Sequence, residues 1–470
     1  MGHVDSSGGH RGGSPATGRG TPRRPDNHAA LIASLERAGI PPVTDPAVLA
    51  GHAVDWTGHW TGPVLAMVRP GSTEQVASVL AAARAHGVPV QVQGGNTGLV
   101  GGSVPDRPSL LLATIGLAWL GEVDMAERTL RAGAGAIVAA VAQHAAAAGL
   151  RFGVDLAARD SATLGGLAAT NAGGIAVCAH GMMREQVRGL TAVLADGRRL
   201  STIGRPRKDN TGYDLTGLLV GSEGTLGVIT EVEVVLHPAP PASTVGLLAV
   251  ADLATAVRSA RAVQATGARL LAAEVVDADG VARAAAALRL PDPLPGASGW
   301  LLLLEVADGA TAEGLAPVAD RVIAVATGAR DRARLWSYRE RQTEVYAAAG
   351  GAPEKLDVAL RLDRLDAGVA EVRAVVGAAG AGRARVGFFG HALDGNLHVQ
   401  LLDAPAGLAQ QVLAAVARLG GSISAEHGIG RLKAAHLHLA RSADEIAWMR
   451  RIRSEVDPAG LLNPGVLLEG

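Results

Sequence analysis

The sequence predicts an α+β fold organised in two main domains. Strand-like apolar runs alternate with Ala-rich amphipathic segments along most of the 470 residues, and glycine-rich loops follow several strands in the first half. Pro238, Pro240 and Pro241 follow a strong β run and indicate a domain boundary. We therefore expect a disordered tail (1–28), an N-terminal helical segment (29–62), a first domain (63–239), a second domain (240–440) and a C-terminal segment (441–470).

Composition narrows the function classes. The chain is 48% hydrophobic with a net charge of -1, so it can bury a large core and is not suited to nucleic acid or an anionic membrane as partner. The single cysteine, Cys178, excludes an intrachain disulfide and fits a reducing, cytoplasmic location. No apolar run reaches the roughly 18–20 residues of a membrane span. The Gly/Ser/Arg/Pro-rich tail has no apolar stretch typical of a secretory signal, and we favour disorder over a transit peptide.

Local signals place the elements in order. A first helix is expected at 29–38, and Ser72 is expected to cap a second that ends at Gly87, with Gln75 completing a capping box. Residues 88–93 alternate as a strand. Further strands are predicted at 110–114, 128–132, 228–236 and 301–306, and residues 187–200 are predicted to form two strands joined by an Asp-Gly turn. Helices are predicted at 137–148 and from 443 to the residue before Asp457.

The first glycine loop, QGGNTGLVGGS at 93–103, directly follows a predicted strand. Closely spaced glycines allow backbone N–H groups to converge on an anion. The loop is not the G-x-G-x-x-G fingerprint of nicotinamide-binding domains, and it lacks the Gly-Lys-Ser/Thr of a P-loop. Taken alone, it fits a structural role equally well.

Two further small-residue loops change that balance. SATLGG and TNAGG lie within 161–174, and GSEGTLGVIT spans 221–230. Three such loops between regular elements favour a long ligand that lies along the backbone, such as a dinucleotide. Ser161, Thr163 and Thr170 could instead cap helices without contacting a ligand.

These loops, together with RKDNTGYDL at 207–215, carry a family resemblance. The chain resembles the vanillyl-alcohol oxidase/p-cresol methylhydroxylase superfamily, and within it the D-2-hydroxyglutarate and D-lactate dehydrogenases and the glycolate oxidase FAD subunit. The resemblance covers roughly residues 63–467. It implies a two-subdomain FAD-binding fold, an α+β substrate-cap domain with an antiparallel sheet, and a C-terminal segment that returns to the FAD domain.

The resemblance also implies which residues contact FAD. The first loop would hold the pyrophosphate, the second would line the flavin and ribityl side, and the third would reach the adenosine half. Covalent members carry a histidine where this chain has Asn96, so non-covalent FAD is expected. The implied set is Gly94, Gly95, Asn96, Thr97, Gly98, Gly102, Ser103, Ser161, Gly165, Gly166, Asn171, Gly173, Gly174, Glu223, Gly224, Gly227, Ile229 and Asn463.

A histidine–carboxylate pattern lies in the second domain. In GHALDGNLH at 390–398, a two-residue Asp-Gly turn would place His391 opposite His398, where two imidazoles can share a metal ion or simply form a solvated cross-strand pair. Glu426 and His427 add a carboxylate and a third imidazole. The resemblance implies that His391, His398 and Glu426 bind a divalent metal, with zinc favoured, and that His427 is the catalytic base.

Substrate anchors are expected to be cationic, although any one of them could be a solvated helix charge. Arg339 and Thr343 are four residues apart on a predicted helix and share a face. The resemblance implies that both contact the substrate, together with Lys355 and Gln400. Three positions depart from the family pattern: Leu356 replaces an aromatic, Leu393 replaces a glycine, and Gln400 replaces an asparagine, which leaves the identity of the hydroxy acid open.

The resulting hypothesis is FAD-dependent oxidation of a small D-2-hydroxy acid, such as D-2-hydroxyglutarate or D-lactate, to the 2-oxo acid. Electrons would pass to an electron-transfer flavoprotein, a quinone or a cytochrome, and a homodimer is compatible with the sequence. Two alternatives are an oxidase that uses oxygen and a non-catalytic flavin-binding subunit. The histidine–carboxylate set argues against the second alternative, since a binding module does not need it.

Overall fold

Three β-sheets organise the chain in a computed structural model that describes residues 27–240, 242–296, 298–307, 314–348, 353–379 and 383–469. The predicted tail lies outside these residues except for its last two positions, which begin the first helix at Asn27. Helices and strands are both abundant, and the sheet of the second domain is antiparallel, as predicted.

The first sheet is small and parallel, in the order β1-β3-β2. Ser72 caps the third helix through a hydrogen bond from the Gln75 amide, and Gly87 ends it in the left-handed conformation (φ 63°), both as predicted. The prediction of a capping box was wrong, because the Gln75 side chain accepts from the Gly71 amide and not from the Ser72 amide. The elements are α1 (Asn27–Arg37), α2 (Pro46–His52), β1 (Val64–Val68), α3 (Thr73–His86), β2 (Val90–Gln93) and β3 (Ser109–Ala113).

The second sheet is antiparallel, in the order β4-β5-β9-β7-β8, with β6 paired to β9. It shares one hydrophobic core with the first sheet, and Leu31 of α1 and Leu462 near the C-terminus complete that core. The elements are β4 (Leu120–Asp124), β5 (Thr129–Gly133), α4 (Val138–Ala147), β6 (Leu150–Phe152), α5 (Leu164–Thr170), α6 (Val177–His180), α7 (Met183–Gln186), β7 (Val187–Val193), β8 (Arg199–Ser201), α8 (Leu215–Leu219) and β9 (Val228–Pro238).

The third sheet has the order β13-β10-β12-β11-β15-β16-β14. Hydrophobic side chains pack on both of its faces, against α9, α13 and α14 on one and against α10, α11 and α12 on the other. Its strands are β10 (Ser243–Val250), β11 (Leu270–Asp277), β12 (Trp300–Ala307), β13 (Val322–Ala326), β14 (Glu354–Ala359), β15 (Arg385–His391) and β16 (Asn396–Leu402). Its helices are α9 (Leu253–Ala265), α10 (Ala278–Leu288), α11 (Ala329–Glu340), α12 (Gln342–Ala348), α13 (Leu365–Ala379) and α14 (Leu408–Arg418).

The C-terminal segment returns to the first sheet. Helix α15 (Ala443–Val456) begins with a complete capping box between Ser442 and Glu445. The chain then pairs with β2, where the Val90 amide donates to the Leu461 carbonyl at 2.8 Å and the Asn463 amide donates to the Val90 carbonyl at 2.9 Å. Within the described ranges, no helix is both long and apolar enough to cross a membrane.

Candidate active site

One face of the third sheet carries four residues that the sequence analysis singled out, Lys355, His391, His398 and Gln400. Alternate residues of β11, β14, β15 and β16 point away from the α9/α13/α14 core, because side chains alternate along a strand. The residues on this face are Glu274, Lys355, Asp357, Phe389, His391, His398 and Gln400. The polar members are buried under the α10–α12 side of the domain, except for the half-buried Lys355.

The β15–β16 hairpin has a different register from the predicted one. His398 lies opposite Phe389, and the loop between the strands spans four residues, 392–395. A two-residue type I′ turn needs positive φ at both central positions. Gly395 meets that requirement (φ 82°) and Asp394 does not, so the shorter turn does not form. His391 and His398 are therefore diagonal neighbours, with ring centroids 5.8 Å apart.

A tight group of potential ligands surrounds His398. Single ligand atoms of Asp357, His398, Glu426 and His427 all lie within 4.8 Å of one another. His398 Nε2 is 3.5 Å from Glu426 Oε1, and His427 Nε2 is 3.8 Å from the same oxygen. The rings of His398 and His427 stack with centroids 5.6 Å apart. The structure thus brings together three of the four predicted metal and catalytic residues.

Asp357 is the residue of this group that the sequence analysis missed. Its carboxylate is fully buried, and its Oδ2 accepts hydrogen bonds from the backbone amides of Ala425, Glu426 and His427 at 2.8–2.9 Å. Burial alone would raise the pKa of Asp357. Electrostatic interactions with His427, Lys433 and His398, together with the hydrogen bond from the His427 amide, outweigh burial and hold that pKa far below its usual range. Asp357 follows Lys355 by two positions, so the same motif contained the signal.

His391, the fourth predicted residue, belongs to a neighbouring network. Its Nδ1 is 2.6 Å from Glu274 Oε1, and Glu274 Oε2 is 2.7 Å from Arg339 Nε. Burial alone would lower the pKa of His391, but the Glu274 carboxylate outweighs it and raises that pKa to about 9. A metal ion at the other ring nitrogen of His391 would have to displace the proton held there, while Glu274 still orients the ring through Nδ1, as carboxylates commonly do at metal sites.

The predicted substrate residues are placed unevenly. Arg339 is buried, with its guanidinium 4.7 Å from the ring centroid of Phe389 and its charge paired with Glu274. Thr343 is half-buried on α12, which is separated from α11 by Arg341, so the expected single helix is interrupted. Lys355 and Gln400 lie opposite each other on β14 and β16. Gln400 Oε1 is buried and has no hydrogen-bond partner in the described part of the chain.

The first two glycine loops pack directly on each other. A Cβ atom at Gly95 would lie 1.9 Å from the Ser161 carbonyl oxygen, and one at Gly94 would lie 2.5 Å from Thr163 Oγ1. Asn96 is left-handed (φ 53°), donates to the Val54 carbonyl at 2.8 Å and accepts from Ser103 Oγ at 2.7 Å. Both side chains therefore brace the loop. Thr97 is half-buried, and Gly98 faces open space.

The second loop contacts residues of both main domains. Thr163 caps α5 by accepting from the Gly166 amide, and a side chain at Gly165 or Gly174 would collide with Ala134 or the Asp155 carbonyl. A Cβ atom at Gly173 would lie 2.8 Å from Glu426 Oε2. The histidine–carboxylate group therefore abuts this loop. Asn171 ends α5 in the left-handed conformation, and its Oδ1 accepts from the Arg184 amide.

The third loop is tied to other segments through side chains. Glu223, expected to reach the adenosine half of FAD, accepts hydrogen bonds from the backbone amides of Ile429 and Gly430, both at 2.8 Å. Asn463 donates to the Glu223 carbonyl at 2.7 Å and accepts from the Val92 amide at 2.7 Å. Gly224 packs against Asn463, Gly227 packs near the Val193 carbonyl, and Ile229 is buried.

Two domain families match the chain. Residues 64–202 match the FAD binding domain family, and residues 239–467 match the FAD linked oxidases, C-terminal domain family. A D-2-hydroxyglutarate dehydrogenase of Xanthomonas citri pv. viticola is 38% identical over 464 residues, which cover 93% of this chain and 97% of that protein. The chain belongs to the D-2-hydroxyglutarate dehydrogenase family of FAD-linked oxidases. It is therefore an FAD-binding oxidoreductase, which confirms the resemblance read from its motifs.

Other relatives of this dehydrogenase family have similar coverage. The mitochondrial D-2-hydroxyglutarate dehydrogenase of Bos taurus is 35% identical, with 93% of this chain and 83% of that protein covered. A D-2-hydroxyglutarate–pyruvate transhydrogenase of Saccharomyces cerevisiae is 32% identical, with 89% of each chain covered. The cytoplasmic location stays a prediction.

Solved structures of other FAD enzymes share the fold of this chain. The 4-ethylphenol oxidase from Gulosibacter chungangensis has a TM-score of 0.73 at 17% identity, covering 95% of this chain and 98% of that one. p-Cresol methylhydroxylase with substrate bound has a TM-score of 0.73 at 16% identity, covering 94% and 96%. At these identities the likeness concerns the fold alone, and it confirms the predicted p-cresol methylhydroxylase type.

A cavity lies between the second and third glycine loops and the 422–429 segment. This cavity of about 450 Å³ is lined by Thr170, Asn171, Ser222, Glu223 and Glu426, among others. This volume lies within the range of about 300–1,000 Å³ that is usual for ligand sites. Ser222 Oγ is buried and lacks a hydrogen-bond partner among the described residues. Sequence reasoning missed Ser222, although it lies in a loop that was singled out.

The ligand group also fits a divalent metal ion. Two ligands about 2.1 Å from a tetrahedral zinc ion lie about 3.4 Å apart. The 3.5 Å between His398 Nε2 and Glu426 Oε1 matches that spacing and is long for a charge-assisted hydrogen bond. Burial lowers the pKa of His398 well below its usual value, which favours the neutral imidazole that a metal requires.

Proposed function

We propose that the chain oxidises D-2-hydroxyglutarate, or a D-2-hydroxy acid of similar size, to the corresponding 2-oxo acid. The observation that carries the proposal is the contact between the histidine–carboxylate group and the second glycine loop, where Glu426 lies against Gly173. That contact brings the groups that would activate a hydroxyl next to the loop that would line the flavin. In this proposal residues 63–239 and 441–470 form the cofactor domain, and residues 240–440 form the cap.

In this proposal Lys355 and Arg339 bind the two substrate carboxylates on either side of His398, with the remaining guanidinium nitrogens of Arg339 used for the substrate because its Nε pairs with Glu274. The strand order β11-β15-β16-β14 places His398 between Arg339, which is paired with Glu274 of β11, and Lys355 on β14. No acidic side chain pairs with the Lys355 ammonium among the described residues, so it is available to a substrate carboxylate. Two cations fit a substrate with two carboxylates, and the relatives named above act on hydroxyglutarate. The buried Gln400 Oε1 adds an acceptor next to Lys355.

Each residue has a chemical role in this proposal. A divalent ion held by His398, Glu426 and His391 would lower the pKa of the substrate hydroxyl. His427 accepts the hydroxyl proton, and Asp357 positions His427 and Glu426 by binding their backbone amides. Glu274 orients His391 through its Nδ1. FAD supplies the acceptor of the hydride that leaves C2 of the substrate.

Anaerobic reduction of the bound flavin tests the proposal. The holoenzyme is mixed with D-2-hydroxyglutarate, D-malate, D-lactate and glycolate, with the L-enantiomers of the chiral acids as controls, and the loss of oxidised-flavin absorbance is followed. We expect rapid reduction by D-2-hydroxyglutarate and slow or no reduction by the L-acids. Failure of every D-acid to reduce the flavin would refute the proposed function.

The same preparation distinguishes the electron acceptors. Once the flavin is reduced, oxygen, pyruvate, a quinone analogue or an artificial acceptor of the electron-transfer flavoprotein type is added in separate experiments. The yeast relative named as a transhydrogenase with pyruvate makes a 2-oxo acid a specific candidate beside the carriers expected from the sequence. Reoxidation by oxygen at a rate that matches turnover would favour the oxidase alternative.

A further inference from the structure

The segment 54–61, just before the first sheet, forms a closed loop. Val54 and Thr61 form an antiparallel bridge, and the Asp55 amide donates to the Trp60 carbonyl at 3.0 Å. The Asp55 carboxylate is buried and accepts from Thr57 Oγ1 at 2.8 Å. These internal hydrogen bonds fix the loop, so Trp56 projects from a rigid support.

This loop is attached to the first glycine loop at two points. Asn96 Nδ2 donates to the Val54 carbonyl, and the Trp60 ring occupies the space beside Gly101. A Cβ atom at Gly101 would lie 2.7 Å from that ring, and the φ of 68° also favours glycine there. The position of Trp56 is therefore set by the loop expected to hold the cofactor.

Trp56 reaches from this support to the third sheet. Its ring centroid lies 5.2 Å from Lys355 Nζ, although 58% of the residue is exposed. A cation within about 6 Å of an indole ring is attracted by its π-electrons. Lys355 has no acidic partner among the residues that the structure describes, and its ammonium makes a cation–π contact with the indole. A lysine side chain loses substantial rotamer freedom when it is held in place.

We propose that Trp56 is a specificity-determining residue that positions the Lys355 ammonium and forms the outer wall of the substrate site. The inference rests on the proposed function, because it assumes that Lys355 binds the carboxylate remote from the reacting carbon. It makes selectivity for dicarboxylic over monocarboxylic hydroxy acids depend on a loop outside the cap. A merely structural tryptophan would affect all substrates alike.

A second exposed tryptophan provides the matched control. Trp448 on α15 is 63% exposed, and its ring centroid lies 5.3 Å from the Arg451 guanidinium. It has the same chemistry and similar exposure, but α15 contributes no residue to the sheet face described above. Trp56→Ala, Trp56→Phe and Trp448→Ala are therefore compared, each as the FAD-loaded full chain.

Stopped-flow flavin reduction separates binding from chemistry. For Trp56→Ala we expect the dissociation constant of D-2-hydroxyglutarate to rise about two- to thirty-fold, the range of one cation–π contact. The limiting reduction rate and the constant for D-lactate should stay within about twofold, Trp56→Phe should be intermediate, and Trp448→Ala should match the parent. Equal effects on both substrates, or none on D-2-hydroxyglutarate, would overturn the inference.

Calorimetry with glutarate, which has no hydroxyl to oxidise, keeps this inference distinct from the proposed function. If no D-acid reduces the flavin but glutarate binds more weakly to Trp56→Ala than to the parent, the proposed function fails and the role of Trp56 stands. If D-2-hydroxyglutarate reduces the flavin and Trp56→Ala binds both ligands as the parent does, the role of Trp56 alone fails. If glutarate does not bind the parent and no D-acid reduces the flavin, both fail.

Discussion

The carboxylates of Asp357 and Glu223 bind opposite ends of one backbone loop. Asp357, on β14, accepts from the amides of residues 425–427, and Glu223, in the third glycine loop, accepts from those of residues 429 and 430. The loop between them carries Glu426 and His427. Their positions are thus fixed relative to the sheet face and to the glycine loops at once.

Replacing Asp357 should therefore reduce both stability and activity. In Asp357→Asn one of the two carboxylate oxygens becomes an NH2 group. That NH2 group faces either the three backbone N–H donors or Asn396 Nδ2, so in both orientations two hydrogen-bond donors face each other. We expect the free energy of unfolding to fall by about 2–3 kcal/mol, as for a lost hydrogen bond to a buried charge, and flavin reduction to slow. Chemical denaturation measures the first effect and stopped-flow absorbance the second.

Asp403→Asn is the control for this substitution. Asp403 forms an ion pair with Arg385 at 3.0 Å, and both side chains are about half exposed. Its replacement should change the free energy of unfolding by less than about 1 kcal/mol. Similar losses in the two variants would show that the Asp357 contacts contribute nothing special.

His427 is expected to act in the chemical step. His427→Ala should lower the limiting rate of flavin reduction by about 10²–10⁴-fold, the usual contribution of a general base, and change the substrate dissociation constant less. His438→Ala is the control, because His438 is exposed and its ring hydrogen-bonds to the Ala435 carbonyl, away from the candidate site. Stopped-flow reduction over a range of substrate concentrations measures both quantities, and an unchanged rate in His427→Ala would move the base elsewhere.

Removal of the metal should abolish turnover and leave FAD bound. The candidate ligands lie on the third sheet and in the 425–430 loop, and none of them belongs to a glycine loop. We expect elemental analysis to find about one divalent ion per chain, dialysis against EDTA to remove activity but not flavin absorbance, and zinc to restore activity. Full activity in a preparation shown to be free of metal would remove the ion from the mechanism.

FAD should be released intact when the protein is denatured. Asn96 occupies the position where covalent family members carry histidine, and both ends of its side chain are hydrogen-bonded within the protein. Acid precipitation followed by absorbance of the supernatant makes the measurement. Flavin retained in the precipitate would contradict non-covalent binding without affecting the family assignment.

A histidine pair away from the site should make stability pH-dependent. His180 and His237 have ring centroids 4.1 Å apart, and burial, together with the nearby His237, Arg151 and Arg269, lowers the pKa of His180 from 6.5 to about 3. Because the folded state disfavours the proton, this stabilising contribution is present above pH 6.5 and is lost as the pH falls towards 3.

His180→Phe keeps a ring next to His237 and removes the titrating group. The Tm of the parent should fall several degrees further than that of the variant between pH 7 and pH 5, measured as differences in scanning calorimetry. Parallel curves for the two proteins would mean that His180 takes up its proton equally well when folded.

The sequence predicted the positions of the turns correctly and their lengths wrongly. Both Asp-Gly pairs, Asp196-Gly197 and Asp394-Gly395, lie between paired strands, and both glycines have positive φ (88° and 82°). Neither aspartate has the positive φ that a two-residue type I′ turn requires, so both loops are longer than two residues. For the second hairpin this moved His398 opposite Phe389, a detail that local propensity does not encode.

Long-range polar contacts were beyond the sequence analysis for a similar reason. The motifs identified four polar side chains as cofactor residues, namely Asn96, Ser103, Glu223 and Asn463. In the structure these side chains form hydrogen bonds with other parts of the protein. Asn463 Nδ2, for example, donates to the Glu223 carbonyl. Asp357 acts on amides about 70 residues further along. A pattern of neighbours identifies loops, whereas such partnerships appear only once the chain is folded.

The pairing of residues 461–463 with β2 has a consequence for synthesis. Leu461 and Asn463 complete the parallel sheet and the third glycine loop, so these parts of the fold can form fully only after residues 461–463 have left the ribosome. Domains usually fold as units while the chain emerges. The cap is synthesised in between, so β2 has an unpaired edge until the C-terminal segment is available. Truncation upstream of residue 461 should therefore yield a protein that aggregates or stays bound to chaperones.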